Sequence, residues 1–393
     1  TFDVKLAKVV YEGKLSKDAT EIVGEWKQGG VSVPLTLKRV DKLPVALRPQ
    51  EPKRPFPYRE EEVVYENKKA NVKLAGTLTL PKGDGPFPAV LLITGSGAQN
   101  RDEEILGHKP FLLIADYLTR RGIAVLRVDD RGIGGSTGSV SSSTSADFAV
   151  DVLTGIDFLK AHKEIDPKRI GLAGHSEGGI IGPMVASESK DVAFVIMLAG
   201  SGVPGDEILL AQNKLILEAK GATKADIDLQ LKLLTMVMGI LKAEADPKVS
   251  EKRILEEFAK WKEKAPDEEK KLLAERETGD LKAIIYGLST PWFRYFFSHD
   301  PRPALRKVQC PVLALIGSKD LQVPPQQNLP EITKALKEAG NKDFTVKELP
   351  NLNHLFQTCK TGDGSEYGNI EETMAPVVLE MMAEWILART KKT

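Results

Sequence analysis

Between residues 87 and 200 the chain repeats one unit: a short, almost unbroken apolar run, a turn, and then an amphipathic stretch. The runs are FPAVLLITG (87–95), IAVLRVD (123–129), RIGLAGH (169–175) and VAFVIMLAG (192–200). Between them lie KPFLLIADYLTRRG, ADFAVDVLTGIDFLKAH and GGIIGPMVAS. In the second of these, Phe148, Val152, Ile156 and Leu159 recur at helical spacing. A strand that is apolar at every position is covered on both faces. Its parallel neighbour can be reached only through a crossover, usually a helix. This rhythm therefore predicts an α/β fold, a mostly parallel sheet with helices on both sides.

The flanking regions differ in texture. Residues 1–43 alternate short β-like pieces with turns around Gly13 and the Gly29-Gly30 pair, which predicts a small antiparallel β unit. Residues 44–59 carry five prolines and read as an extended linker. EEVVYEN and VKLAGTLTLP predict a leading β pair of a core spanning 60–204 and 301–393. From 205 to 300 the strand rhythm stops and only helical runs occur, which predicts a helical cap inserted into the sheet. The rhythm resumes with CPVLALIG (310–317), a helix from Pro330 to Gly340, the strand DFTVKELP and a closing helix through EETMAPVVLEMMAEWILA.

Composition excludes several classes. Fifty-five basic and 55 acidic residues balance, which argues against broad electrostatic recognition of nucleic acid. No apolar stretch approaches the roughly 18 residues of a membrane span. Cys310 and Cys359 cannot build a disulfide framework, and with five scattered histidines they offer no zinc-like ligand spacing, so neither metal nor cofactor is expected. The weight of Lys and Glu points to a heat-adapted source. The chain opens at Thr1 rather than methionine, which reads as processing or trimming and favours an extracytoplasmic over a cytoplasmic location. Oligomeric state is not legible.

The chemistry concentrates at GLAGHSEGGIIG (171–182). Gly174-His175-Ser176-Glu177-Gly178 fits G-x-S-x-G with a strand before and a helix after, the setting of a nucleophilic serine on a sharp turn. Such a serine needs a base, and the base needs an orienting acid, in chain order serine, acid, histidine. His108 and His162 precede Ser176, His175 adjoins it, and His299 ends the helical insertion; His354, in the loop after the last strand, is the base this order selects. Asp320 leaves the strand ending at Gly317 and is the expected acid, with Asp206 as the alternative. The oxyanion donors expected are the N–H of Glu177 and that of Ser96 or Gly97 in TGSGAQNRDEE. The glycines of DDRGIGGSTG lack the context of a dinucleotide fingerprint and read as a structural turn. Arg101, Asp102 and Glu103 either order the oxyanion loop or face water.

LLITGSGAQNRDEE, AVLRVDDRGIGGSTG, GHSEGG, GSKDLQVP and LPNLNHLF, in this order, resemble the α/β-hydrolase superfamily. Within it the chain is similar to bacterial carboxylesterases related to serine aminopeptidases and dienelactone hydrolases, in particular the thermophilic type with a β-rich N-terminal extension. The resemblance spans about 60–390 and implies ester hydrolysis through an acyl-enzyme with Ser176, Asp320 and His354 as triad. The sequence departs from it at Thr94, where many relatives carry histidine. The resemblance also implies a cap over the site, whose Trp292, Phe293 and Phe296 either line an acyl pocket or pack cap on sheet. The expected function is thus a serine carboxylesterase for small to medium acyl esters, with a peptidase or amidase using the same residues, or an inactive binding protein on the same scaffold, as alternatives.

Overall fold

The computed structural model describes residues 1–4, 9–28, 31–40, 47–274 and 278–391. The chain forms two compact units, Thr1–Leu47 with Arg276–Ala283, and Arg48–Glu275 with Ile284–Thr393. In the first, β1 (Phe2–Val4), β2 (Val9–Leu15), β3 (Glu21–Gln28) and β4 (Val31–Lys38) form an antiparallel meander in that order. Gly13, a turn marker in the sequence, lies mid-strand opposite Gly24. There it leaves room for the Tyr11 ring, whose hydroxyl donates to the carbonyls of Ile22 and Leu35. The turn between β2 and β3 runs through Ser16–Thr20 instead, with Ala19 at φ +55°. Gly29, Gly30 and the start of the proline-rich linker lie outside the described residues.

The described part of that linker is a strap, not a free connector. Arg48 donates to the carbonyls of Leu106, Gly368 and Ile370. Gln50 exchanges hydrogen bonds with the backbone of Thr373 and Met374, and Tyr58 donates to Asp116. Prolines fix the strap's φ angles, so these polar anchors form at little entropic cost.

The second unit is built on an eight-stranded sheet: β5 (Arg59–Asn67), β6 (Val72–Leu80), β7 (Phe87–Ile93), β8 (Ala124–Val128), β9 (Ile165–His175), β10 (Val195–Leu198), β11 (Val312–Gly317) and β12 (Phe344–Leu349). Their order is β12-β11-β10-β9-β7-β8-β6-β5, parallel from β12 to β8, with β6 antiparallel to both its neighbours. Side chains alternate between two cores. Val90, Leu92, Ile196, Leu198, Leu313 and Leu315 meet α1 (Pro110–Thr119) and α12 (Pro376–Thr390) on one face. Leu91, Ile93, Val195, Met197, Val312 and Ala314 meet α2 (Ser145–Ala161), α3 (Gly178–Glu188) and α11 (Pro325–Glu338) on the other. The helix expected from Pro330 starts five residues earlier, because Pro325 occupies its first turn and the Pro324 carbonyl receives Gln327 and Asn328 N–H. The closing helix begins at Pro376 rather than at Glu371.

After β10 the chain leaves the sheet through α4 (Gly205–Ala219), α5 (Lys224–Ala243), α6 (Pro247–Lys264), α7 (Asp267–Ala274), α8 (Thr278–Leu288) and α9 (Pro291–Ser298). It returns through α10 (Arg302–Leu305) into β11. No helix among the described residues is long and apolar enough to cross a membrane.

One contact shows how tightly strand and helix close. A Cβ on Gly171 of β9 would lie 2.1 Å from the Phe194 ring, which packs edge-on against Trp385 of α12 at 5.8 Å. Gly171→Ala should therefore lower stability by about 1–3 kcal/mol through overpacking. The urea unfolding midpoint measures this, and Phe194→Leu in the same chain should recover part of the loss.

Candidate active site

The site begins where β9 stops. His175 ends the strand, Glu177 opens the first turn of α3, and Ser176 between them is held at φ +52°, a left-handed conformation uncommon for a residue with a side chain. Its N–H donates to the Leu198 carbonyl at 2.8 Å, and its own carbonyl accepts from Gly179 at 3.0 Å. The turn closes only on glycine. A Cβ at 174 would sit 2.0 Å from the Gly178 carbonyl oxygen, and one at 178 would sit 2.1 Å from that of Ile93. Strand, helix and the end of β7 thus converge beneath Ser176, and side-chain volume is what they exclude.

His354 and Asp320 meet in the loops after β12 and β11. The His354 Nδ1 lies 2.8 Å from Asp320 Oδ2, with both residues buried. Asp320 Oδ1 accepts from the N–H groups of Gln322 and Val323, each at 2.8 Å, which fixes the carboxylate's direction. Asp206, the alternative acid, instead pairs with Lys242. His108 is buried against Thr373 and the Tyr367 carbonyl, and His299 stacks on Tyr295 at the end of α9. The Ser176 hydroxyl makes no hydrogen bond with the described residues; it lines a cavity.

That cavity, of about 440 Å³, is walled by Ser96, Gly97, Ser176 and Glu177 at its base. Ile208 and Leu209 of α4 and Trp292, Phe293 and Phe296 of α9 line it further, with Val140, Ile180 and Val323 among others. The Trp292 and Phe296 rings stack at 5.0 Å. The apolar stripe Leu229, Leu233, Met236 and Ile240 of α5 recurs at helical spacing. Leu229, Leu233 and Ile240 are buried, in a helix that packs against α4, α6, α7 and α9. Helical spacing reveals that a face is covered, not by what.

The loop after β7 is organised by carboxylates. Asp130 accepts from the Thr94 hydroxyl (2.7 Å) and the Gln99 N–H (2.9 Å), so Thr94 has a structural use of its own at the position where histidine was the expected alternative. Glu103 accepts from the Gly95 N–H at 2.6 Å. Arg101 pairs with Asp129 and Glu62, and Asp102 contacts Arg127. The charged run 101–103 therefore orders the loop. No acceptor among the described residues engages the N–H of Ser96, Gly97 or Glu177. The Glu177 side chain is a further functional group that the sequence reading missed. Its buried carboxylate accepts from Ser145 (2.5 Å) and from the Trp292 indole (2.7 Å), tying α9 to the serine turn. Burial raises its pKa against those two bonds. The signal was present in the charge placed directly after Ser176, where a buried helix start requires partners.

Among the described residues, one group of side chains has metal-ligand chemistry: Glu61, His162 and Glu164 bring ligand atoms within 4.8 Å of one another. Arg59 already neutralises Glu164, and His162 spends Nε2 on Glu61 and Nδ1 on the Glu164 N–H, so these residues satisfy each other.

Comparison with known proteins places these features in context. The profile of the family described as X-Pro dipeptidyl-peptidase (S15 family) matches residues 70–349. Esterase EstD of Thermotoga maritima is 27% identical over 374 residues, covering 92% of this chain and 78% of that protein. Esterase FrsA of Vibrio cholerae is 31% identical over 161 residues, 41% of this chain and 35% of that one. Among solved structures, the Pyrococcus furiosus esterase Pf2001 superposes with a TM-score of 0.50 at 17% identity, covering 84% of this chain and 91% of that one, a likeness of fold.

Asp130 makes the loop's electrostatics measurable. Burial, opposed by its bonds to Thr94 and Gln99 and reinforced by Glu177 and Glu103, pushes its pKa up to about 7 from 3.8. The folded state then holds a proton that the unfolded chain releases, so this contribution to stability is complete at low pH and is lost as pH rises through about 7. Asp130→Asn should flatten the decline in stability between about pH 4 and pH 7. Parallel wild-type and variant profiles would show an ordinary carboxylate.

Proposed function

The chain belongs to the X-Pro dipeptidyl-peptidase (S15) family and is a hydrolase of α/β-hydrolase fold, and from that premise we propose that it is a serine carboxylesterase acting on small to medium acyl esters. The observation that carries this reading is the 2.8 Å bond between His354 and Asp320 at the strand ends, together with a serine held at positive φ in the wall of an apolar cavity. In the proposed mechanism the Ser176 hydroxyl attacks the ester carbonyl as His354 takes its proton. Asp320 holds the imidazole tautomer and stabilises the imidazolium. The N–H of Glu177 and that of Ser96 or Gly97 receive the oxyanion. His354 then protonates the leaving alkoxide, and water, activated by the same imidazole, releases the acid from the acyl-enzyme.

The family's description favours one second reading, a peptidase that removes N-terminal dipeptides. Such an enzyme must receive a substrate ammonium. Among the residues lining the cavity Glu177 alone is ionisable, and its carboxylate is already occupied by Ser145 and Trp292. This supports an uncharged acyl group as ligand and α4 with α9 as the cap elements that bound it.

Initial rates on p-nitrophenyl esters from acetate to dodecanoate, beside X-Pro anilides, separate the two. Ester turnover should dominate, vanish in Ser176→Ala and fall by roughly 10⁴ in Asp320→Asn. Phe296→Ala should move the optimum towards longer chains, each methylene admitted being worth about 1–3 kcal/mol. Anilide turnover exceeding that of every ester would establish the peptidase, and full activity in Ser176→Ala would end the serine mechanism.

A further inference from the structure

Beneath the proposed triad lies a second carboxylate–histidine pair. Glu103 sits at φ +50°, a left-handed backbone for a side-chain-bearing residue, and is 4% exposed. Its Oε1 accepts from the Gly95 N–H at 2.6 Å and lies 3.0 Å from His175 Nδ1. The other ring nitrogen, Nε2, lies 3.0 Å from the His354 carbonyl oxygen, and the two imidazole rings are 4.9 Å apart. A Cβ on Gly95 would stand 3.1 Å from Glu103 Oε1, 3.4 Å from Ser176 Cβ and 3.5 Å from His175 Nδ1, so loop, turn and pair meet at one point.

Proton counting decides the state of His175. Both of its partners, a carboxylate and a backbone carbonyl, are acceptors, whereas a neutral imidazole has one N–H to give. Satisfying both requires the doubly protonated ring, with Glu103 as counter-ion. The remaining surroundings are apolar, Phe111, Ile114, Leu198 and Leu355 among them, and the other titratable groups facing the ring are His354 and its partner Asp320. Burial opposes the charged ring, and Glu103 with the His354 carbonyl outweighs it, raising the pKa of His175.

We propose that Glu103 and His175 are a positioning pair for the reaction assigned above: a buried imidazolium–carboxylate that holds the oxyanion loop, the serine turn and the base loop in one register. The proposal rests on the esterase reading for its kinetic consequence and on geometry for its existence. A buried ion pair contributes little net stability relative to apolar packing. It does impose direction, and strained backbone such as that of Glu103 persists where the surroundings over-determine it. The three segments it joins carry the proposed oxyanion donor, nucleophile and base. A displacement of about 1 Å among such groups lowers turnover by about 10²-fold.

Glu103→Gln tests this, since it preserves shape and removes the charge. A neutral His175 then has one N–H for two acceptors, and both bonds to residue 103 converge on a single oxygen, so at least one tie must break. The expected result is a fall in kcat of roughly 10²-fold with KM within about threefold. In ¹⁵N spectra the wild-type His175 ring, assigned by its loss in His175→Asn, should remain doubly protonated above the ordinary histidine value of about 6.5. In Glu103→Gln it should not. Wild-type kcat in Glu103→Gln, or a singly protonated ring in the wild type, overturns the proposal. Should Glu103→Gln fail to fold, the wild-type spectrum decides. A wild-type chain that turns over no ester would refute the esterase reading, and the ring spectrum would still judge the pair.

Discussion

Everything at this site depends on how closely three pieces of backbone approach one another. The ends of β7 and β9 and the start of α3 come so near that a methyl group at 174 or 178 would lie within about 2 Å of a carbonyl oxygen. Ser176, between them, is held in the left-handed region and lines the cavity. The N–H of Glu177 lies at the start of α3, where the aligned peptide dipoles favour negative charge. The sheet order supplies the rest. Because β9, β10, β11 and β12 run parallel, the loops that follow them all emerge on one rim, and groups far apart in the chain gather there.

The loop after β7 shows a different economy. Nearly every polar group it uses to hold its shape is answered by a carboxylate: Asp130 for Thr94 and Gln99, Glu103 for Gly95, Asp129 for Arg101. Acceptors that are buried and directional fix a glycine-rich loop without filling the space a substrate needs. The consequence is acid buried behind the site: burial raises the pKa of Asp130 and that of Glu177, and for Asp130 the neighbouring Glu177 and Glu103 add to it.

Glu177 links the two halves of the cavity. Its backbone belongs to the serine turn and its side chain to α9, through Trp292. The aromatic cluster of α9 is therefore neither plain packing nor plain lining. Its rings face the cavity while one of them is anchored, by an indole N–H, to the residue after the serine. A helix held this way ties its aromatic wall to the turn that carries Ser176.

The unbroken apolar runs, spaced by amphipathic helices, were enough to determine a parallel sheet, its interruption after residue 204 and the position of Ser176 at a strand–helix junction. Elimination among five histidines made His354 the expected base, and its place after β11 made Asp320 the expected acid; the structure joins these two by a hydrogen bond. Those features are written along the chain, as periods and as order. The partnership of Glu103 with His175, 72 residues apart, and of Glu177 with Trp292, 115 apart, has no such signature. Neither does the packing of the α5 stripe against its neighbouring helices or the docking of the proline-rich strap. In each case the energy lies between segments whose meeting depends on where strands end and which loops share a rim. A buried carboxylate accepts from whatever donor the fold brings to it, so only the tertiary structure could name the partner.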